Sequence, residues 1–233
     1  MGPALRAITL DLDDTLWPVW PAIVRAEEAL HSWLCERAPA TAAAFDRAGL
    51  RRLREQVAVD HPEQSHDLSW LRRTSIARAL SQAGDDPGLA GPAFAHFFDH
   101  RQRVELYPDV AAALAGLASR LPLLALTNGN ADLARIGLAG HFVGVLSARE
   151  FGVGKPEPAF FLEACRRLGC SPGEVLHVGD DWRLDIEGAH GAGLASAWIR
   201  RPGQPDKPAA PSARPWRELT DLGQLLAALD DLV

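Results

Sequence analysis

Lysine is nearly absent from this chain of 233 residues: Lys155 and Lys207 stand beside 22 arginines. An arginine bias of that size reflects genome composition, so a lysine kept in a conspicuous loop points to a place that needs a compact ammonium rather than a planar fork. Cysteine is scarce as well. Cys35, Cys165 and Cys170 are odd in number and match no zinc or redox spacing, so buried free thiols are expected. No apolar run approaches the length of a membrane span. The residues ahead of Asp11 hold no signal-peptide core, and the expected location is the cytoplasm. An excess of basic charge is also missing. The formal net charge of −6 argues against nucleic acid as a partner, because a counterion-releasing basic surface would be needed for it. The short run Arg51-Arg52-Leu53-Arg54 reads as a solvated helix face. What is present, 47% hydrophobic and 23% charged residues, is ordinary globular composition. The length suits one large domain or a core with a smaller insert.

Four short apolar runs end in polar or small residues and read as buried parallel strands. They are Ala7–Leu10 before Asp11, Leu121–Leu126 before Thr127, Val175–Val178 before Gly179, and Ala195–Ile199. Helical patterns around Val110–Arg120, Ala159–Leu168 and Leu184–Ala192 separate the later ones. Strand and helix in alternation imply right-handed crossovers and an α/β fold, a Rossmann-like parallel sheet with helices on both faces. Ligands of such sheets bind at the carboxyl ends of the strands. From about Trp20 to Arg103 the pattern turns helical, with Ile23, Ala26, Leu30, Trp33 and Leu34 at i, i+3, i+4 spacing. Breaks fall near Pro39, Pro62, Gly84-Asp85-Asp86-Pro87 and Gly91-Pro92. A segment that long cannot be a loop in a compact domain. The expected division is an α/β core of residues 1–18 and 104–233 with an inserted all-helical domain at 19–103. Pro202–Pro215 reads as an irregular surface connection to a last helix, Asp221–Leu232.

Polar residues gather where the strands end. Leu10-Asp11-Leu12-Asp13-Asp14-Thr15-Leu16 places Asp11 and Asp13 two apart in an extended segment, hence on one side. Two carboxylates that close need a cation or a shared proton, and a hard divalent metal such as Mg²⁺ meets that need. In Thr127-Asn128-Gly129, a hydroxyl and backbone N–H groups at a strand end can hold a phosphoryl oxygen. Gly152-Val153-Gly154-Lys155-Pro156 is not a nucleotide-binding P-loop, since Pro156 follows the lysine and the glycine spacing is wrong. Lys155 is instead placed to neutralise phosphate. Finally, His177-Val178-Gly179-Asp180-Asp181-Trp182-Arg183-Leu184-Asp185 supplies three further acids for a metal and its surroundings.

These four segments, in this order, resemble the four motifs of the haloacid dehalogenase superfamily, over Arg6 to Arg200. The resemblance implies that Asp11 is the nucleophile and Asp13 the general acid/base, with the Asp13 backbone carbonyl on Mg²⁺. It implies that Thr127, Asn128 and Lys155 bind the phosphoryl group. Asp11 and Asp180 would be metal ligands, Asp185 would order the surroundings and Asp181 would assist. The helical insert resembles the family's helical cap, and the implied partner is a small phosphorylated metabolite.

Within the superfamily, Asp13 favours phosphate ester hydrolysis, because the dehalogenases carry an aromatic residue at that place and the transport ATPases a threonine. No lysine occurs in Trp20–Arg103, which excludes the phosphonatase Schiff base. The motifs are similar to those of bacterial phosphatases of flavin mononucleotide and of phosphorylated aminoribitylaminouracil, and His66-Asp67 fits that subgroup. Trp17-Pro18-Val19-Trp20 departs from it. Trp17, Trp20 and Trp70 could stack on a flat ring, with His66, Arg72 and Arg73 as polar contacts. A general sugar-phosphate phosphatase, a phosphomutase and a non-catalytic phosphate-binding protein remain as alternatives.

Overall fold

The computed structural model describes residues 4–204, 206, 208 and 211–229, and Lys207 lies outside them. Five short apolar or small-residue runs and one polar one form a six-stranded sheet: β1 Ala7–Leu10, β2 Leu123–Thr127, β3 Gly144–Ser147, β4 Val175–Gly179, β5 Ala195–Ile199 and β6 Arg217–Leu219. All neighbours are parallel, in the order β3-β2-β1-β4-β5-β6. The fold is therefore the expected Rossmann-like α/β type. β1 is central, with Ile8 opposite Leu123 on one side and Leu176 on the other. The strand order reverses between β1 and β4, the crevice where sheets of this kind bind ligands.

Two strands were not anticipated. β3 and β6 are the sheet's outer strands; β3 is only partly buried and β6 is exposed at Arg217 and Glu218, so neither has the fully apolar pattern of a two-face-buried strand. The last helix runs Leu222–Ala228, capped by the Asp221 carboxylate on the Gln224 N–H, and of the expected extension to Leu232 the part beyond Leu229 falls outside the described residues.

The chain separates into two compact units. One takes in the described residues up to Pro18, Glu105–Gly129 and those from Leu133 on; the other is Val19–Val104 with Asn130–Asp132. In the first, α6 (Val110–Ala118) and the helix Pro158–Leu168 flank the sheet. The fully buried Phe160 and Phe161 pack with Leu124, Leu126 and Leu146, and each ring contributes about 3–5 kcal/mol against truncation to Ala.

The second unit contains α1 Val19–Arg37, α2 Pro39–Ala44, α3 Arg47–Asp60, α4 Leu68–Ala83 and α5 Ala90–Arg101. Its core joins Ala26, Leu30 and Leu34 of α1 to Ile76 and Leu80 of α4 and Phe97 of α5, the spacing of one helical stripe in each case. Gly84 closes α4 in the left-handed region at φ +85°, a conformation a Cβ disfavours. Gly91-Pro92 does not break a helix, contrary to expectation. It lies in the first turn of α5, where a missing N–H has no intrahelical acceptor to lose.

Candidate active site

Three adjacent strands, β2, β1 and β4, deliver the polar residues. The Asp11 N–H donates to the Val178 carbonyl at 2.9 Å, which carries the extended pairing one residue past β1 and seats the Asp11 side chain at the crevice. Lys155 arrives from the loop ahead of the helix Pro158–Leu168. Its Nζ donates to Asp11 Oδ1 at 2.5 Å and to Asp185 Oδ1 at 2.6 Å, and its side chain is only 2% exposed. One compact ammonium bridging two buried carboxylates is the task for which a lysine differs from an arginine.

Asp185 is fully engaged. Beyond Lys155, its Oδ1 meets His177 Nε2 at 3.0 Å and its Oδ2 accepts the Asp181 N–H at 2.9 Å. Gly179 makes this possible, since a Cβ there would overlap the Asp185 carboxylate. Burial opposes the charge on Asp185, but Lys155 and His177 overcome it and hold its carboxyl well below the usual range. Asp11 and Asp180 go the other way. Burial first, eased by Lys155 and worsened by Asp185, pushes Asp11 up to about 7. Burial, then the charges of Asp11 and Asp185, pushes Asp180 up to about 9. Lys155 stays protonated: burial disfavours its charge, and Asp11 and Asp185 more than restore it.

Asp11, Asp180 and Asp185 each bring a carboxylate oxygen within 4.8 Å of the other two. One ammonium for three carboxylates leaves an excess of negative charge in a buried space, so the donor set is oxygen-only and electron-rich. It could hold a hard metal cation. Asp185 is the least available ligand of the three, because the Lys155 ammonium and the His177 ring already hold it, whereas the Asp180 oxygens accept only from neutral groups, the Thr15 hydroxyl and the Gln204 amide.

A haloacid dehalogenase-like hydrolase model matches residues 5–193. The chain belongs to that family. Among relatives of this hydrolase, the 5-amino-6-(5-phospho-D-ribitylamino)uracil phosphatase YigB of Escherichia coli K12 is 36% identical over 200 residues, covering 84% of each chain. The glyceraldehyde 3-phosphate phosphatase of Methanopyrus kandleri is 34% identical, again over 84% of each. Among solved structures, a 2-haloacid dehalogenase from Pseudomonas syringae pv. Tomato DC3000 superposes with a TM-score of 0.89 at 38% identity, over 98% of this chain and all of that one. With named phosphatases as its curated relatives, this haloacid dehalogenase-like hydrolase is a phosphatase.

Other residues in the family motifs serve the site indirectly. Asn128, expected to face phosphate, spends its side-chain amide on the Lys155 backbone. Its Oδ1 accepts the Lys155 N–H and its Nδ2 donates to the Lys155 carbonyl, both at 2.8 Å, and Gly154 lacks the Cβ that would block that approach. Thr127 is buried with its Oγ1 accepting the Gly129 N–H at 2.9 Å. The Asp181 carboxylate caps the following turn through the Leu184 N–H at 2.8 Å, so its side chain stabilises the helical turn while its N–H orients Asp185. Asp13 Oδ1 accepts the Trp17 indole N–H at 2.8 Å, and Trp17 is fully buried, which removes it as a stacking platform.

Sequence reasoning missed three supports of this hydrolase's site. His177, quoted only as part of a motif, is fully buried, and burial lowers its pKa despite Asp185. A neutral ring has one N–H and a carboxylate only accepts, so Nε2 donates to Asp185 and Nδ1 accepts from the Thr9 hydroxyl at 2.8 Å. Arg201, buried, donates from Nε and Nη2 to the Thr15 carbonyl at 3.0 and 2.8 Å and pairs with Asp109 at 2.8 Å. Thr15 in turn aims its hydroxyl at Asp180 Oδ1 (2.9 Å) rather than at Asp11 (3.5 Å). Gln204 Nε2 donates to Asp180 Oδ2 at 2.8 Å and Trp198 Nε1 to the Asp180 carbonyl at 2.7 Å. The apolar run Ala195–Ile199 located Trp198, but nothing in the sequence around Pro202 signalled Arg201 or Gln204.

In the helical unit, Trp20 is 57% exposed with the Arg51 guanidinium 4.8 Å above its ring, and Trp70 meets His61 edge-on at 5.1 Å. Arg72 is buried and Arg73 exposed. Asp67 caps α4 on the Trp70 N–H, which accounts for the residue after His66 without a ligand.

Proposed function

We propose that this chain is a Mg²⁺-dependent phosphomonoester hydrolase that works through a covalent aspartyl phosphate on Asp11. The observation that carries the reading is the Asp11 carboxylate itself: buried, bridged by Lys155, beside Asp180, and two residues from a second aspartate in the same loop. The Asp11 and Asp180 carboxylates and the Asp13 backbone carbonyl would hold Mg²⁺, which when bound supplies charge neutralisation for the acids and the phosphoryl oxygens. An Asp11 oxygen attacks phosphorus in line as the ester P–O bond breaks, and the Asp13 carboxyl gives its proton to the departing alkoxide. Asp13, now a carboxylate, takes a proton from water as that water attacks phosphorus, which releases phosphate and restores Asp11. Lys155 and the Thr127 hydroxyl are the donors for the equatorial oxygens, and their fixed placement supplies most of the rate.

The likeness to a 2-haloacid dehalogenase favours a second reading, displacement of halide by the same Asp11. Asp13 argues against it, because halide needs no proton and the dehalogenases resembled in the sequence carry an aromatic residue there. For substrate, the similarity to the Escherichia coli enzyme favours a riboflavin-pathway phosphate, with the phosphorylated aminoribitylaminouracil and flavin mononucleotide first to be tried. The helical unit is assigned substrate selection. A panel of these two, glycerol phosphate, sugar phosphates and a 2-haloacid, run with Mg²⁺ and again in excess chelator, tests the whole reading. Metal-dependent phosphate release with at least about tenfold higher kcat/KM for the ring-bearing esters is expected. Preference for small sugar phosphates would overturn the substrate, and halide release or full activity in chelator would overturn the reaction.

A further inference from the structure

The helical unit gathers more positive charge around one buried acid than that acid can balance. Glu27 of α1 is 4% exposed, and each of its oxygens is committed: Oε2 accepts Arg51 Nε at 2.5 Å and Oε1 accepts Arg72 Nη1 at 3.4 Å. Arg72, on α4, is itself buried, with its guanidinium carbon over the Phe97 ring at 3.9 Å from the centroid. Arg54 sits one helical turn beyond Arg51 on α3, and both are half-buried while Arg52 between them is exposed. The run is therefore only in part the solvated face its sequence suggested. Among the described residues no carboxylate pairs with Arg54. Its charge is nevertheless felt: the Arg72 guanidinium is held down to about 10, by burial first and by Arg54 next.

We infer that Arg51 and Arg72, joined on Glu27, together with Arg54 one turn from Arg51 on α3, form an oxyanion-binding site in the helical unit that takes a phosphate or carboxylate group. Three cations against one anion, with Arg72 buried and Arg51 and Arg54 half-buried, is an arrangement that costs free energy unless a further anion balances it. Two other arginines of this unit each have an acid of their own, Arg47 with Glu28 and Arg78 with Asp60. Glu27 fixes Arg51 through Nε alone, which leaves the Nη edge of that fork for a second acceptor. Phe97 beneath Arg72 and the indole of Trp20 beneath Arg51 hold both planes in place, so little side-chain entropy remains to be lost on binding. The anion would come from a free oxyanion or from a second acidic group on the substrate, and the two sources share the same chemistry.

Two experiments on the full chain separate them. Sodium sulfate is titrated against wild type and Arg54→Gln while arginine Nε–H and backbone resonances are followed. Saturable shifts on α3 and α4 that are lost or weakened about tenfold in Arg54→Gln, the loss expected for one charge-assisted hydrogen bond, support the site. Arg51→Gln serves as the second variant should Arg54→Gln not fold. Shifts confined to the strand-end site, or α3 and α4 shifts unaffected by both variants, overturn it. In parallel, kcat/KM is compared for phenyl phosphate and 4-carboxyphenyl phosphate. A fall of about tenfold in the ratio favouring the carboxylated ester in Arg54→Gln assigns the site to a substrate group, and an unchanged ratio with sulfate binding lost assigns it to a free oxyanion. If neither ester is hydrolysed the phosphatase mechanism fails, while the sulfate titration still decides this site.

Discussion

Replacing Lys155 by arginine keeps the charge and changes only its shape, so it isolates what the rare lysine contributes. Nζ lies within 2.6 Å of both Asp11 and Asp185 in a space that leaves the side chain 2% exposed. An arginine must put a planar group one bond further out into that enclosure, and overpacking of this kind costs roughly 1–3 kcal/mol. It also moves the donors off the position where the phosphoryl oxygens collect charge. Loss of one such donor lowers turnover by about 10²–10³, or roughly 2.7–4 kcal/mol of transition-state stabilisation. Lys155→Met adds the separate penalty of leaving buried carboxylates uncompensated, about 3–5 kcal/mol. The assay is kcat/KM on an aryl phosphate at saturating Mg²⁺, beside urea unfolding of the same preparations. Both variants should lose at least about 10²-fold in activity, Lys155→Met being also the less stable. Lys155→Arg within about threefold of wild type would refute the reasoning and make the lysine a compositional accident.

Two further outcomes follow from the same site. Asp11 and Asp180 have folded-state pKa values of about 7 and about 9, above their unfolded values, so in chelator the folded chain binds more protons than the unfolded one above about pH 4. The melting temperature should therefore fall from pH 5 to pH 8, by roughly 3–5 °C for each effective pKa unit, and Asp180→Asn or added Mg²⁺ should flatten that slope; a temperature that rises with pH would contradict it. Arg201→Gln removes two hydrogen bonds to the Thr15 carbonyl and the Asp109 ion pair, and should cost about 2–3 kcal/mol in urea unfolding while raising the Mg²⁺ concentration needed for half-activity, because Thr15 orients Asp180. Unchanged values of both would remove Arg201 from the site's support.

The parts of this molecule visible in its sequence are those where one physical signal dominates. β1, β2, β4 and β5 are buried on both faces and read as apolar runs, and the residues directly after β1, β2 and β4 are the ones that meet in the crevice. β3 and β6 escaped because outer strands are short and partly polar. Lys155 was legible through its rarity, but its partner Asp185 was expected only to order the surroundings, and the hydrogen bonds show it bound at both oxygens. Asn128 illustrates the other limit. An Asn-Gly pair at a strand end looks the same whether its amide faces a ligand or clamps a backbone 27 positions later, and only the tertiary contact distinguishes them. Arg51, Arg54 and Arg201 were hidden for a related reason: in a chain with 22 arginines, nothing local marks the few that are buried, as Arg201 is, or half-buried, as Arg51 and Arg54 are.

The central claim is that phosphate passes through the Asp11 carboxylate. Its most direct test is rapid quenching of the enzyme during turnover of a phosphate-labelled ester, followed by borohydride reduction and peptide mapping, since reduction of an acyl phosphate converts that aspartate alone to homoserine. Label on the peptide holding Asp11, homoserine at position 11, and loss of both with turnover in Asp11→Asn are expected. Steady turnover with no label at Asp11, or an Asp11→Asn variant that still releases phosphate at a rate near wild type under saturating Mg²⁺, would contradict it.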